Sequence, residues 1–212
     1  MRDFNCYLFD ADGTLFDSTE LICRCFTNTS LEMGHGNIDQ SVVLSHIGLT
    51  LRDQMSVYFG QLSDEQFAQY RKVHMDYQMS IYNQHLSLFE GVKETLEELK
   101  QRGKKCAVVT SRFRETLTLF LKETDILSYF DTLVTPEDTP KHKPDPEPAV
   151  HAMKLLGAQG SESLFIGDAT FDIECGHKAG TSTAFVSWSR NSVDSLVVKP
   201  TYIINHMREL CC

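Results

Sequence analysis

The chain has no excess of positive charge, no long apolar run, no internal repeat and no low-complexity tract, and each lack closes off a class of function. Its 20 Lys and Arg face 29 Asp and Glu, a formal net charge of −9. An acidic chain gains nothing from attraction to a phosphate backbone, so a nucleic-acid-binding module is not expected. No apolar stretch approaches the ~18 residues that a membrane-spanning helix needs, so no membrane partner is expected. The run Met1-Arg2-Asp3-Phe4-Asn5 does not read as an export signal, because Asp10 and Asp12 interrupt any apolar core. The seven cysteines are an odd number to pair, and Cys6, Cys106 and Cys175 sit in strand-like or helix-like runs. Without an export signal they read as reduced thiols, and the expected compartment is the cytoplasm. The adjacent Cys211-Cys212 reads as a frayed terminus rather than a thiol or metal pair. What is present is ordinary: 212 residues, 42% hydrophobic and 23% charged, with apolar mass for one large domain or two small ones.

Short apolar runs bounded by turn residues recur. They are Tyr7-Leu8-Phe9, Cys106-Ala107-Val108-Val109, Thr132-Leu133-Val134, Leu164-Phe165-Ile166 and Thr183-Ala184-Phe185-Val186. Each is nearly continuous, as expected of strands buried on both faces. Between the later ones lie helical patterns: Val92, Leu96 and Leu99 stopped by Gly103, then Pro146 and Pro148 opening a helix through Leu156 to Gly157, then about Phe171 to Ala179. Alternating strands and helices predict an α/β fold, a Rossmann-like, doubly wound parallel sheet whose carboxyl edge binds ligands. From Ser18 to about His85 only helical periodicity is found. Leu21, Ile22, Cys25 and Phe26 form one stripe, with Gly34 as a stop; Ser63-x-x-Gln66 reads as a capping box, followed by Phe67, Tyr70, His74, Tyr77 and Ile81. The layout is therefore a core at about 1–16 and 88–212 with an inserted helical cap at about 17–87, placed as a lid over the carboxyl edge. His74 and the aromatic stripe read as core packing of that insert.

Four polar clusters each follow one of the strands: Asp10-Ala11-Asp12-Gly13-Thr14, Thr110-Ser111, Lys143, and Asp168 with Asp172. Singly each has a structural reading as an N-cap, a turn or a solvated lysine. Together they share one sheet edge. Carboxylates gathered in one crevice repel one another unless a cation joins them, and hard oxygen ligands in small number suit Mg²⁺ with a substrate phosphate oxygen. The hydroxyl and the lysine supply donors for the remaining phosphate oxygens. A carboxylate beside phosphorus can attack it, and a second carboxyl two residues along can give and then take the proton. These residue types suffice for phosphate-ester hydrolysis through an aspartyl phosphate.

The run Asp10-x-Asp12-Gly13-Thr14-Leu15-x-Asp17 resembles motif I of the haloacid dehalogenase (HAD) superfamily. Val108-Val109-Thr110-Ser111 resembles its motif II, Lys143-Pro144-Asp145-Pro146 its motif III, and Gly167-Asp168-x-x-x-Asp172 its motif IV, in the right order over nearly the whole chain. The resemblance implies that Asp10 is the nucleophile and a Mg²⁺ ligand, and that Asp12 is the general acid/base with its carbonyl on the metal. It implies that Thr110, Ser111 and Lys143 hold phosphate, with Lys143 also orienting the carboxylates, and that Asp168 and Asp172 complete the metal site. The helical insert sits where subclass I members carry their cap, and Ile47-Gly48-Leu49-Thr50-Leu51-Arg52-Asp53 resembles the cap loop presented to substrate. His46, Gly48 and Arg52 are then candidates for substrate contact, with Arg112, directly after motif II, either touching substrate or solvated. Phe89-Glu90-Gly91-Val92 departs from the family's Pro-Gly-Val hinge at Glu90, which affects hinge stiffness rather than chemistry. Within the superfamily the likeness is to phosphoglycolate-phosphatase-like enzymes and related pyrophosphatases.

The expectation is a Mg²⁺-dependent phosphatase for a small phosphomonoester, phosphoglycolate-like or a sugar phosphate, acting as a monomer or weak homodimer, with a phosphosugar mutase or an inorganic pyrophosphatase as the alternatives. Asp12 argues against a dehalogenase. A phosphosugar mutase carries an arginine early in the cap loop, where this chain has Leu51 with Arg52 one place later. A receiver domain carries its acceptor aspartate mid-chain, and an EF-hand starting at Asp10 would need Gly and Glu where Leu15 and Leu21 stand. An inactive phosphate-binding member remains as the non-enzyme alternative. Trp188 reads as a packing residue, His142 has no assigned role, and the polar loop from Thr135 to Pro140 is placed for function by following a strand.

Overall fold

The computed structural model describes residues 2–211. In chain order the elements are β1 (Cys6–Phe9), β2 (Phe16–Asp17), α1 (Thr19–Glu32), α2 (Gln40–Leu44), α3 (Leu51–Phe59), α4 (Asp64–His85), β3 (Ser87–Leu88), α5 (Val92–Gln101), β4 (Lys105–Val109), α6 (Arg114–Glu123), β5 (Thr132–Val134), α7 (Glu147–Leu156), β6 (Ser163–Gly167), α8 (Thr170–Lys178), β7 (Ser182–Val186) and β8 (Tyr202–Ile204). The six-stranded sheet runs β5-β4-β1-β6-β7-β8, with every pairing parallel. The chain leaves β1 in one direction through β4 and β5, then returns to the other side of β1 through β6, β7 and β8. The order reverses between β1 and β6, and their carboxyl ends open the crevice where a doubly wound sheet binds ligands. The fold is the α/β, Rossmann-like arrangement expected.

The two sheet faces follow the period-two alternation of the strands. Tyr7, Phe9, Val108 and Ile166 pack with Leu96 and Leu99 of α5 and with Leu117 and Phe120 of α6. Cys6, Leu8, Val109 and Phe165 pack on the opposite face with Ala149, Ala152 and Met153 of α7 and with Cys175 of α8. The strands are thus buried on both faces, which explains their unbroken apolar runs. Cys6, Cys23, Cys25, Cys106 and Cys175 are buried thiols outside any disulfide.

The helices α1 to α4 form a separate apolar cluster around Phe26, Val43, Met55 and Tyr70. The Ser63 capping box is present: Gln66 N donates to Ser63 Oγ at 3.2 Å and Ser63 N to Gln66 Oε1 at 2.9 Å. His74 is packing as read, edge-on to Phe26 at 4.7 Å and 3.3 Å from Thr29 Oγ1. The chain leaves and re-enters through a two-stranded antiparallel ladder, Phe16 against Leu88 and Asp17 against Ser87. Glu90 turns to solvent with 93% of its side chain exposed.

The sequence reading omitted α6, β2, β3 and β8; the third core helix starts at Thr170 rather than Phe171. The terminus is not frayed at Cys211, which ends a 3₁₀ turn (Met207–Cys211) and whose carbonyl accepts from Arg102 at 2.9 Å; Cys212 lies outside the described residues. Trp188 packs on Phe89 and donates to the Thr14 carbonyl at 3.3 Å. Among the described residues no helix is long and apolar enough to cross a membrane.

Candidate active site

Asp10 follows β1 directly and its amide is held by the Ile166 carbonyl of β6 at 2.9 Å, so the backbone of the switch point fixes its position. Lys143, in the loop between β5 and α7, is 4% exposed and bridges two carboxylates: its Nζ donates to Asp10 Oδ1 and to Asp172 Oδ1, each at 2.6 Å. Asp172 sits in the first turn of α8, where its Oδ2 accepts from the amides of Asp168 at 3.2 Å and Ala169 at 3.0 Å. An anion at a helix amino terminus complements both the free amides and the helix dipole. Asp168 follows β6, and its Oδ2 accepts from Asn191 at 2.9 Å. Asp10, Asp168 and Asp172 each offer an oxygen within 4.8 Å of the others. Three buried carboxylates facing one ammonium leave a net charge of −2.

Burial raises the Asp10 carboxyl to about 7; the charges of Asp172 and Asp12 push the same way, against the attraction of Lys143. Burial also raises Asp168 well above the carboxylate range, helped by Asp172 and Asp10. Burial alone would favour the neutral form of Lys143, but Asp10 and Asp172 outweigh it and hold the ammonium charged. The cluster is therefore short of positive charge, the condition a divalent cation relieves.

Asp12 has a different partner. Arg112 Nε donates to its Oδ2 at 2.9 Å and Arg112 Nη2 to its Oδ1 at 2.7 Å, while Ser18 Oγ donates to Oδ1 at 2.5 Å. Burial would raise this carboxyl, and the Arg112 charge and hydrogen bonds outweigh burial and hold it below its ordinary value. Thr110 and Ser111 follow β4; Thr110 Oγ1 accepts from the Arg112 amide at 3.1 Å, and Ser111 Oγ donates to the Gly48 carbonyl at 2.6 Å. Asp10, Asp12, Thr110, Ser111, Arg112 and Gly48 line one cavity of about 60 Å³, with Gln54 of α3 and His74 and Gln78 of α4 on its far wall.

Two of the candidates for substrate contact do not line the cavity. His46 Nδ1 faces the Val42 carbonyl at 2.7 Å and its ring lies edge-on to Tyr58, away from the cavity. Arg52 pairs with Asp64 at 2.8 Å and stacks on Phe67 at 4.2 Å, because its place on α3 points it along the outside of the helices. Arg112 is not a solvated loop residue, with 7% of its side chain exposed. The Thr135–Pro140 loop is held by Asp138, which pairs with Arg114 and accepts from Thr135 N at 2.7 Å. Ser18, Gln54, Gln78 and Asn191 were not read as site residues. Gln78 had a signal, four residues after His74 on the same helical face.

Two glycines are fixed by close approach. Gly13 has φ +81°, and a Cβ there would stand 2.3 Å from Asp168 Oδ2. Gly48 has φ +106°, with Phe171 Cδ2 3.0 Å from a Cβ position. Gly13→Ala is expected to lose at least ~2 kcal/mol of stability in urea denaturation, through left-handed strain and displacement of Asp168. A loss under ~0.5 kcal/mol, the range of an ordinary surface change, would contradict this packing.

With this geometry the comparisons with known proteins agree. A sequence profile of the haloacid dehalogenase-like hydrolases matches residues 7–186. The chain belongs to that family. The pyrophosphatase PpaX of Bacillus velezensis is 36% identical to it over 204 residues, which are 96% of this chain and 93% of PpaX. A crystal structure described as a haloacid dehalogenase-like hydrolase from Bacteroides fragilis superposes with a TM-score of 0.89 at 30% identity, covering 98% of this chain and 100% of that one. A structure from Lactobacillus plantarum, described as a phosphoglycolate phosphatase, has a TM-score of 0.86 at 20% identity, covering 99% of each chain, and shares the fold. As a HAD-like hydrolase the chain places its polar clusters at the edge where the sheet order reverses.

Proposed function

We propose that the chain is a Mg²⁺-dependent HAD phosphatase that hydrolyses a small phosphate ester or anhydride through an aspartyl phosphate on Asp10. The observation that carries this reading is Lys143 bridging Asp10 and Asp172, with Asp168 beside them, at the edge of one cavity with Thr110. The oxygen-only, negatively charged donor set fits a hard divalent cation, with Asp10, Asp168 and Asp172 as its protein holders and the Asp12 carbonyl in support. When bound, such an ion neutralises charge on the transferring phosphoryl group.

The residues divide the remaining work. Asp10 attacks phosphorus with one carboxylate oxygen, the bond from phosphorus to the leaving oxygen breaks, and Asp12 gives that oxygen a proton. Asp12 then takes a proton from water, the water oxygen attacks the same phosphorus, and the bond to Asp10 breaks to release phosphate. Thr110, Ser111 and Lys143 hold the non-bridging oxygens of the phosphoryl group, and the Lys143 ammonium offsets charge as that group passes. Helices α1 to α4, about residues 17–87, act as a cap over a core of about 1–16 and 88–212, hinged at the β2–β3 ladder. Gly48, Gln54 and Gln78 on the cavity wall support that role. Arg52 on the outer face supports hydrolysis over transfer between two positions of a sugar. The buried thiols support a reducing compartment, the cytoplasm.

The test is phosphate release from a panel of small phosphates including pyrophosphate and phosphoglycolate, run with Mg²⁺ and with EDTA. We expect release from at least one compound that EDTA abolishes and added Mg²⁺ restores. Release that persists in EDTA, or none from any compound, would overturn the reading; similarity to PpaX makes pyrophosphate the first compound to try.

A further inference from the structure

Arg112 stands in the cavity wall in a way that hydrolysis alone does not require. Its Nε and Nη2 are taken by Asp12, its Nη1 donates to Gln78 Oε1 at 3.2 Å, and its plane lies over Phe120 at 4.5 Å. With Ser18 also on Oδ1, both oxygens of Asp12 are engaged, so the group that must hand a proton to the leaving oxygen faces the guanidinium instead. Releasing Asp12 into a cavity that holds only a neutral group would strand a buried guanidinium, which is costly. A second anion in the cavity changes that balance, because the guanidinium exchanges one planar or tetrahedral oxyanion for another in the same bidentate geometry.

Across the cavity, Gln54 is 8% exposed, its Nε2 donates to the Leu49 carbonyl at 2.9 Å, and its Oε1 has no partner among the described residues. A bare acceptor repels an anion, and Arg112 is the sole lysine or arginine among the described residues lining the cavity. The anion is therefore directed to Arg112. The cavity, about 60 Å³, is small, which suits a two-carbon acid or a second phosphoryl group as the leaving part.

We propose that Arg112 reads a second anionic group, a carboxylate or a phosphoryl, on the leaving part of the substrate, and that by turning to it Arg112 frees Asp12 to act as the acid. The inference rests on the phosphatase reading above. It makes the substrate class a compact phosphate compound with two anionic ends, and it makes Arg112 both a specificity residue and a positioning residue for Asp12.

The experiment compares kcat and KM, with Mg²⁺, for phosphoglycolate, pyrophosphate and 2-hydroxyethyl phosphate, the last a neutral-ended match for the first. p-Nitrophenyl phosphate, whose leaving group needs little acid assistance, reports the phosphatase reading separately. Wild type is expected to favour phosphoglycolate over 2-hydroxyethyl phosphate by about 30-fold in kcat/KM where the second anion is a carboxylate. Pyrophosphate, whose phosphate leaving group also needs little acid assistance, is compared between wild type and Arg112→Gln, where a fall of that size marks a phosphoryl. Arg112→Gln is expected to abolish that preference, losing on the charged compound while hydrolysing the neutral ester faster, because Asp12 is no longer held. Arg112→Lys, which keeps the charge without the bidentate fork, should retain part of the preference, and melting curves confirm that both variants are folded. Parallel losses on charged and neutral compounds, or a neutral ester that is not accelerated, would overturn the coupling to Asp12. A wild-type enzyme that hydrolyses p-nitrophenyl phosphate without separating the pair, and with no such fall on pyrophosphate in Arg112→Gln, would sink this inference alone; one that hydrolyses nothing would sink the phosphatase reading and this inference with it.

Discussion

Asp10→Asn is expected to lower turnover of every substrate by at least ~10⁴-fold, the scale seen when an attacking group is removed, while raising the stability of the metal-free protein. The two effects have one origin. Asp10 is buried among Asp172, Asp168 and Asp12, with Lys143 as its direct counter-charge, and its carboxyl is raised from 3.8 to about 7. A carboxyl raised on folding holds more protons in the folded than in the unfolded state between those two values. Its contribution to stability is therefore present at low pH and is lost as pH rises through that window. The asparagine variant lacks the Asp10 part of this loss and relieves Asp168, whose carboxyl the Asp10 charge also raises, so its melting temperature should gain on wild type between about pH 4 and pH 8 in EDTA. His74, whose ring burial lowers to about 3 with help from the Arg112 charge, gives a slope of the opposite sign, stability lost as pH falls below its unfolded value. That term is common to both proteins and drops out of their difference. Differential scanning calorimetry of the two proteins at several pH values reads the gain; a difference that does not change with pH would mean that Asp10 is not held in an uncompensated acidic cluster.

Lys143→Ala acts on the same cluster from the other side. It leaves Asp10 and Asp172 buried with no counter-charge at 2.6 Å, and loss of one partner of a buried pair costs ~3–5 kcal/mol. Urea denaturation in EDTA at pH 8 should show a loss of that size. Mg²⁺ should recover part of the stability, because a divalent ion also answers the charge deficit. Activity should not recover with it, since the ammonium that meets the phosphoryl oxygens is gone; a fall in kcat/KM of at least ~100-fold is expected at saturating Mg²⁺. A variant as stable as wild type in EDTA would show that the bridge does not hold the cluster together.

The core was legible because its strands are buried on both faces and therefore read as unbroken apolar runs, four of the five followed by a polar cluster at the same edge. Elements with weaker signatures were not. Strand β8 is the three residues Tyr202–Ile204, with Ile203 exposed on one side, and β2 and β3 are two residues each, too short for any period. Helix α6 carries a good stripe in Leu117, Phe120 and Leu121, but it begins two residues after Arg112, where the catalytic pattern draws the eye. The site divides in the same way. Asp10, Thr110, Lys143, Asp168 and Asp172 are placed by strand ends and loops of the sheet, so their convergence follows from topology. Positions in the helical insert depend on how α3 and α4 rotate against α1, which no local pattern states. Hence Gly48 reached the cavity wall while His46 and Arg52, two and four residues from it, turned elsewhere. Asn191 sits in a loop with no regular pattern at all, and only the folded chain brings it to Asp168.

In the proposed reaction the phosphoryl group passes through the Asp10 carboxylate. Acid quench of the enzyme during turnover with Mg²⁺, followed by borohydride reduction and peptide mass spectrometry, detects that intermediate. An acyl phosphate at Asp10 is reduced to homoserine at that position, and homoserine is expected there in the presence of substrate and Mg²⁺, with none in EDTA. Conversion at another aspartate, or active turnover with an unmodified Asp10 at every quench time, would contradict it.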